Sequence, residues 1–464
     1  MIRATLAAAA LLAAPPLAAQ TTTQDDIDAR YDRALAAGYK ALMLCSAIAN
    51  AELFGSKRSE TSVEEYELTG IYPTLDPIVR TLPHNIERGG DGVIDYVGVD
   101  WAGDMPPRVA LHKPDRGCSA LPIGAEVPQS DSEIFARNGL RSDHFAFQQN
   151  GTAQDELAMT AFEVSYGADA RTAGVVILRN GRIVGEGYGP DHGPLVPQRT
   201  WSVAKSIAAT LVGAAVQRGD VADMAMQNAS GRTAAAVPQW QGGGDPRAAI
   251  GIDHLLRMAS GRYSDTAGNR TDPVYWGGAT VDERAATWPL VNRPGSVFRY
   301  ANNDTLMAVK AIEETFEEHP PWQVLLQIGM DHTIPETDWQ GNYVLSSQVW
   351  ATARDLAELG QLYLDDGMLP DGTRILPEGW LEYVSVPSGP QPDGRFGYGA
   401  GWWLLSNSEG VPPETIAAMG NRGQYVVVVP SRDVVIVRRG EDPAGGSGFD
   451  IAAFTRDVLA ALDD

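Results

Sequence analysis

Residues 200–216 read TWSVAKSIAATLVGAAV. From Ser202 onward the stretch is apolar nearly all the way round, which predicts a helix buried on every side. Lys205 breaks the pattern. The chain has only five lysines (Lys40, Lys57, Lys113, Lys205 and Lys310) against 31 arginines. Arginine is thus its generic cation, and a lysine kept in an apolar helix points to a task that needs proton exchange, which arginine does not perform in proteins. Ser202 stands at the predicted N-terminus, where unpaired N–H groups and the helix dipole favour a developing negative charge. Lys205, three residues on, shares its face. Desolvation lowers the pKa of a buried lysine, and a neutral amine can take the proton of a serine hydroxyl. A serine N-cap beside a lysine that snorkels to water fits the same letters.

Two further segments carry candidate chemistry. In PGSVFRYANNDT (294–305) a Pro-Gly turn precedes Tyr300 and Asn302. A tyrosine near Lys205 would have its phenol pKa lowered by the cation and could relay protons. Asn302 could hold the Lys205 amine and a substrate carbonyl through its amide. In MGNRGQYVVVVP (419–430), Gly423 before a strand permits close approach of a ligand. The Gln424 N–H, on a strand edge, is expected to pair with that of Ser202 as an oxyanion hole. An ordinary turn explains each of these segments taken alone.

Around them the chain reads as α+β. AGVVILR and RIVGEGYG flank Asn180-Gly181, a strong hairpin signal, and FGYGAGWWLL, GQYVVVVP and VVIVRRG read as three late strands. FDIAAFTRDVLAALDD at the C-terminus is an amphipathic helix, and the region between the two strand groups is helical. The expected architecture is an α/β sandwich: one antiparallel sheet from both chain ends, helices on both faces and an all-helical region.

The 464 residues carry a formal charge of -23, which argues against nucleic acid or an anionic membrane surface as the partner. MIRATLAAAALLAAPPLAAQ reads as a signal peptide over 1–19, so a periplasmic or secreted protein is expected. No later stretch reads as a membrane span, and no integral membrane association is expected. Residues 20–150 read as a helix followed by an irregular cover segment, with the main domain over 151–464. Cys45 and Cys118, the only cysteines, form a disulfide in such a compartment or stay as two buried thiols. The seven histidines show no metal-like spacing, so no metal and no cofactor are expected.

The order S-x-x-K, Y-x-N and a Gly-containing strand resembles the serine β-lactamase and penicillin-binding-protein superfamily. LLRMASGRYSD, ATARDLAELGQLYLDDGMLPDGTRILPEGW and GYGAGWW extend the likeness toward its class C, esterase and 6-aminohexanoate-dimer hydrolase branch. The resemblance implies a β-lactamase/transpeptidase-like fold with Ser202 as nucleophile, Lys205 as base, Tyr300 as proton relay and Asn302 as a substrate or lysine contact. It departs in the third motif, where Asn421, Arg422 and Gly423 replace the usual Lys or His, Thr or Ser, Gly. The cation that anchors a substrate carboxylate is then missing unless Arg422 supplies it. This favours an amidase or esterase acting on a small-molecule or short peptide-like substrate over a β-lactamase or DD-peptidase. A non-catalytic binding or sensor protein of the same fold is the remaining alternative. Tyr263 and Asp265 are expected at the pocket rim, and Trp402, Trp403 and Phe396 fit either an apolar wall or the core.

Overall fold

The computed structural model describes residues 22–127, 153–221, 237–264, 271–387, 389–444 and 448–463. The signal-peptide assignment, the proposed boundary near residue 150, and Asp265 lie outside the described residues. Fourteen strands are found among them: β1 (His84–Arg88), β2 (Ile94–Val99), β3 (Arg108–Lys113), β4 (Gly117–Ala120), β5 (Thr172–Arg179), β6 (Arg182–Tyr188), β7 (Gln198–Arg199), β8 (Ile334–Pro335), β9 (Val349–Ala351), β10 (Gly397–Tyr398), β11 (Trp403–Leu404), β12 (Ile416–Gly420), β13 (Gln424–Val429) and β14 (Val434–Gly440).

The central sheet has the order β10-β11-β12-β13-β14-β5-β6, antiparallel throughout. Both chain ends build it, as the sequence pattern indicates. Asn180 and Gly181 turn the β5–β6 hairpin with φ of 51° and 68°, the backbone a two-residue hairpin requires. β12, with its sequence IAAMG, has no apolar/polar alternation and was not expected as a strand.

Alternation along the sheet divides two cores. Val176, Leu178, Val426, Val428, Val435 and Val437 join the larger one, with the Ala204–Arg218 and Ala353–Leu364 helices. Val175, Ile177, Val427, Val429 and Ile436 face the other side and pack on Phe454, Val458 and Leu459 of the C-terminal Ile451–Ala461 helix. Helices therefore cover both faces of the sheet, the α/β sandwich expected from the sequence.

The N-terminal region is more ordered than its Gly-, Pro- and Asp-rich sequence suggests. A helix over Gln24–Leu53 starts at a Thr23/Asp26 capping box and lies on an antiparallel sheet of order β1-β2-β3-β4. Residues 34–51 of this helix are all buried. Its other side meets the main body at Gly38, where a Cβ would stand 2.1 Å from the Trp276 carbonyl oxygen. The expectation that no stretch after the leader is long and apolar enough to span a membrane is corrected. This helix meets that measure, but its apolar window is wholly buried in protein. Cys45 in the helix and Cys118 in β4 form a disulfide.

Candidate active site

Ser202 does not lie in the α-helix itself. It occupies a 3₁₀ turn, Trp201–Val203, that leads into the Ala204–Arg218 helix. Trp201 holds φ of 50°, a left-handed conformation that bulky residues rarely adopt. The Arg199 guanidinium stacks on its ring, 3.7 Å from the centroid, and braces the turn.

Lys205, in the first turn of that helix, is 1% exposed. Its Nζ donates to Ser202 Oγ at 2.9 Å, to Asn302 Oδ1 at 2.6 Å and to the Ser346 carbonyl oxygen at 2.9 Å. Burial brings its pKa down to about 7. The ammonium is thus not snorkelling. Asn302 opens the Asn302–Lys310 helix, and its Nδ2 donates to Thr271 Oγ1 at 3.1 Å.

Tyr300 joins the cluster beside Ser202, and both line the same cavity. Its expected pKa shift is reversed: burial raises the phenol well above its ordinary value. Desolvation is the cause. Lys205 Nζ lies 5.0 Å from the Tyr300 ring centroid, over the ring face, and the ring packs against Trp403 and Tyr398. Tyr300 is a neutral phenol at neutral pH.

The third motif is arranged differently from the expectation. β13 runs between β12 and β14, so the Gln424 backbone is not on an edge, and Gln424 pairs with Gly420 across the hairpin. Its fully buried side chain accepts from Arg439 Nε at 2.7 Å and donates to the Gly440 carbonyl oxygen. Gly423 answers to a left-handed φ of 79° and to the buried Arg438–Asp442 pair. A Cβ there would stand 1.8 Å from Arg438 Nη1, so the glycine makes room for a side chain rather than a ligand. Arg422 is also buried, and its Nη2 donates to the carbonyls of Tyr66 and Thr69 and meets Glu441 at 3.1 Å. It does not face the pocket. Tyr263 is 48% exposed, packs on Trp288 and does not line the pocket.

The residues that do approach Ser202 come from the end of β12. β11 pairs only with Ile416 and Ala417, which leaves the rest of β12 open on that side, and the serine turn packs there. A Cβ on Gly420 would stand 2.5 Å from the Thr200 carbonyl oxygen and 3.1 Å from Ser202 N. Gly420 and Asn421 line a cavity of about 550 Å³ together with Ser202, Tyr300 and Asn302. Phe396 and Trp403 form part of its wall, whereas Trp402 is core, packed on Tyr363. Tyr275 also lines it and shares a 2.7 Å hydrogen bond with Ser346. Tyr275, Ser346 and Gly420 were not singled out in the sequence, and Asn421 was read there as part of the departing third motif rather than as a pocket residue. The first two lie in segments with no recognisable spacing, while MG beside NRG was the one local signal for the other two.

A β-lactamase family model matches residues 159–438. A 6-aminohexanoate-dimer hydrolase from Paenarthrobacter ureafaciens is 32% identical over 124 residues, covering 24% of this chain and 30% of that protein. The chain thus matches less than a third of that relative's length. Among solved structures, a candidate 6-aminohexanoate-dimer hydrolase from Bacillus anthracis superposes with a TM-score of 0.52 at 20% identity, over 64% of this chain and 79% of that one. A candidate β-lactamase from Bacteroides dorei gives 0.51 at 17% identity, over 67% and 97%. These two likenesses are of fold.

Proposed function

The chain belongs to the β-lactamase family of serine hydrolases, and on that premise we propose that it cleaves an amide or ester bond through an acyl-enzyme on Ser202. The observation that carries this reading is the buried Lys205 amine, 2.9 Å from Ser202 Oγ and held by Asn302 and the Ser346 carbonyl. Above pH about 7 the amine is neutral and can accept the serine proton as Oγ bonds to the substrate carbonyl carbon. The oxyanion falls to the Ser202 N–H and a backbone N–H of the Gly420–Asn421 stretch. When the carbonyl carbon's bond to the leaving group breaks, that group leaves with a proton. Tyr300 gives this proton and recovers it from Lys205. Water then attacks the ester. Its proton passes to Lys205, the carbon–Oγ bond breaks, and Ser202 takes a proton back.

The distant 6-aminohexanoate-dimer hydrolase relative supports an amide or ester over a β-lactam. So does Arg422, whose side chain is turned away from the pocket and leaves no carboxylate anchor in the third motif. The disulfide and the apolar leader support export to an oxidising compartment. The test is hydrolysis of p-nitrophenyl acetate by the full chain and by Ser202→Ala, with intact mass to detect an acyl adduct. Turnover and adduct are expected only with Ser202. Equal turnover in the variant would overturn the reading.

A further inference from the structure

Tyr72 and Pro73 belong to the N-terminal region, outside the residues that match the family model, yet both line the cavity that holds Ser202. We propose that this region forms a specificity wall of the pocket, in which Tyr72 and Pro73 select substrates with an uncharged aryl or alkyl group beside the scissile bond. The inference rests on the Ser202 reading for its chemistry and adds the class of substrate.

The wall is built rather than draped. The Tyr72 ring packs on Trp276 at 5.6 Å and on Trp201 at 6.3 Å, and its hydroxyl lies 3.4 Å from Asn421 Nδ2. Behind it, Arg422 Nη2 donates to the carbonyls of Tyr66 (2.8 Å) and Thr69 (2.9 Å), and the Ala444 N–H donates to the Gly70 carbonyl at 2.7 Å. The Tyr72 carbonyl accepts from the N–H groups of Leu75 and Asp76, both at 2.9 Å. The arginine that the sequence offered as a carboxylate anchor thus fastens this wall in place.

Phe396, Trp403, Met419 and Tyr425 line the same cavity as Tyr72, and no ionised side chain occurs among the described residues that line it. Rings of this kind favour a flat apolar group. A carboxylate brought among them would lose water without gaining a cationic partner among the described lining residues.

Binding by the full-length Ser202→Ala variant, followed calorimetrically, tests this without turnover. The probes are phenylacetanilide and its carboxylated analogue 4-(phenylacetamido)benzoate. The neutral amide is expected to bind at least tenfold more tightly than the carboxylate. Adding Tyr72→Ala is expected to weaken the neutral amide about tenfold and leave the carboxylate unchanged. If thermal melting shows that Tyr72→Ala is unfolded, Tyr72→Leu replaces it, with a loss of the same sign. Equal or tighter binding of the carboxylate, no response to the Tyr72 variants, or no binding of either probe would overturn the inference. Any of these leaves Ser202-dependent ester hydrolysis to be scored separately, so the two readings fail independently.

Discussion

Lys205 gives up its hydration to three neutral oxygens, those of Ser202, Asn302 and Ser346, and burial is the force that moves its pKa to about 7. The sign of the pH dependence follows. In the proposed mechanism the neutral amine is the active form, so kcat/KM should fall about tenfold per pH unit below 7 and level off above it. A pH–rate profile checks this, and a flat profile from 5 to 9 would remove Lys205 from the proton path. Lys205→Arg keeps the charge and loses the proton exchange, so kcat should drop by about 10²–10⁴-fold with the fold intact. Gly420→Ala tests the same centre from the other side. Its methyl would meet the Thr200 carbonyl and Ser202 N, and displacing the serine turn should cost about 100-fold in kcat, read by steady-state kinetics.

At the scale of elements, the sheet places the site by leaving part of an edge open. β11 is two residues long, so the end of β12 is free to receive the serine turn. In the N-terminal region the disulfide joins a helix to β4 across a sequence separation of 73 residues. Removing that cross-link releases loop entropy to the unfolded chain. The Cys45→Ala/Cys118→Ala variant should be less stable by about 4 kcal/mol, measured by urea denaturation, whatever the state of the active site.

Across the whole molecule, the N-terminal region and the main body meet through buried polar contacts as well as apolar ones. Glu336, just after β8, accepts from the Cys118 N–H at 3.1 Å, and burial raises its carboxyl pKa to about 7. The native protein then keeps this proton at pH values where the unfolded chain has released it. Stability therefore falls as pH rises from about 4.5 to 7 and stays lowered above that. Glu336→Gln removes the penalty, so it should stabilise by up to about 3 kcal/mol at pH 8 and by little at pH 4.5. Urea midpoints at the two pH values check this, and an equal effect at both would show that ionisation is not the cause.

The sequence by itself determined what is local. Ser202 and Lys205 are three residues apart and share a face whatever surrounds them, the Asn180-Gly181 turn fixes the β5–β6 hairpin, and alternating valines mark two-faced strands. Apolar residues on all sides of a helix also state its burial, and burial lowers the lysine pKa. Tertiary structure decided which atoms meet across long separations. Packing desolvated Tyr300, so its phenol pKa rose where a nearby cation was expected to lower it. Strand order put β13 inside the sheet and turned Arg422, Gly423 and Gln424 from the pocket, because a strand's neighbours are not encoded in its own letters. Packing of a separate N-terminal layer brought Tyr72 to the cavity wall, a contact made by residues more than a hundred positions away from Ser202 in the chain.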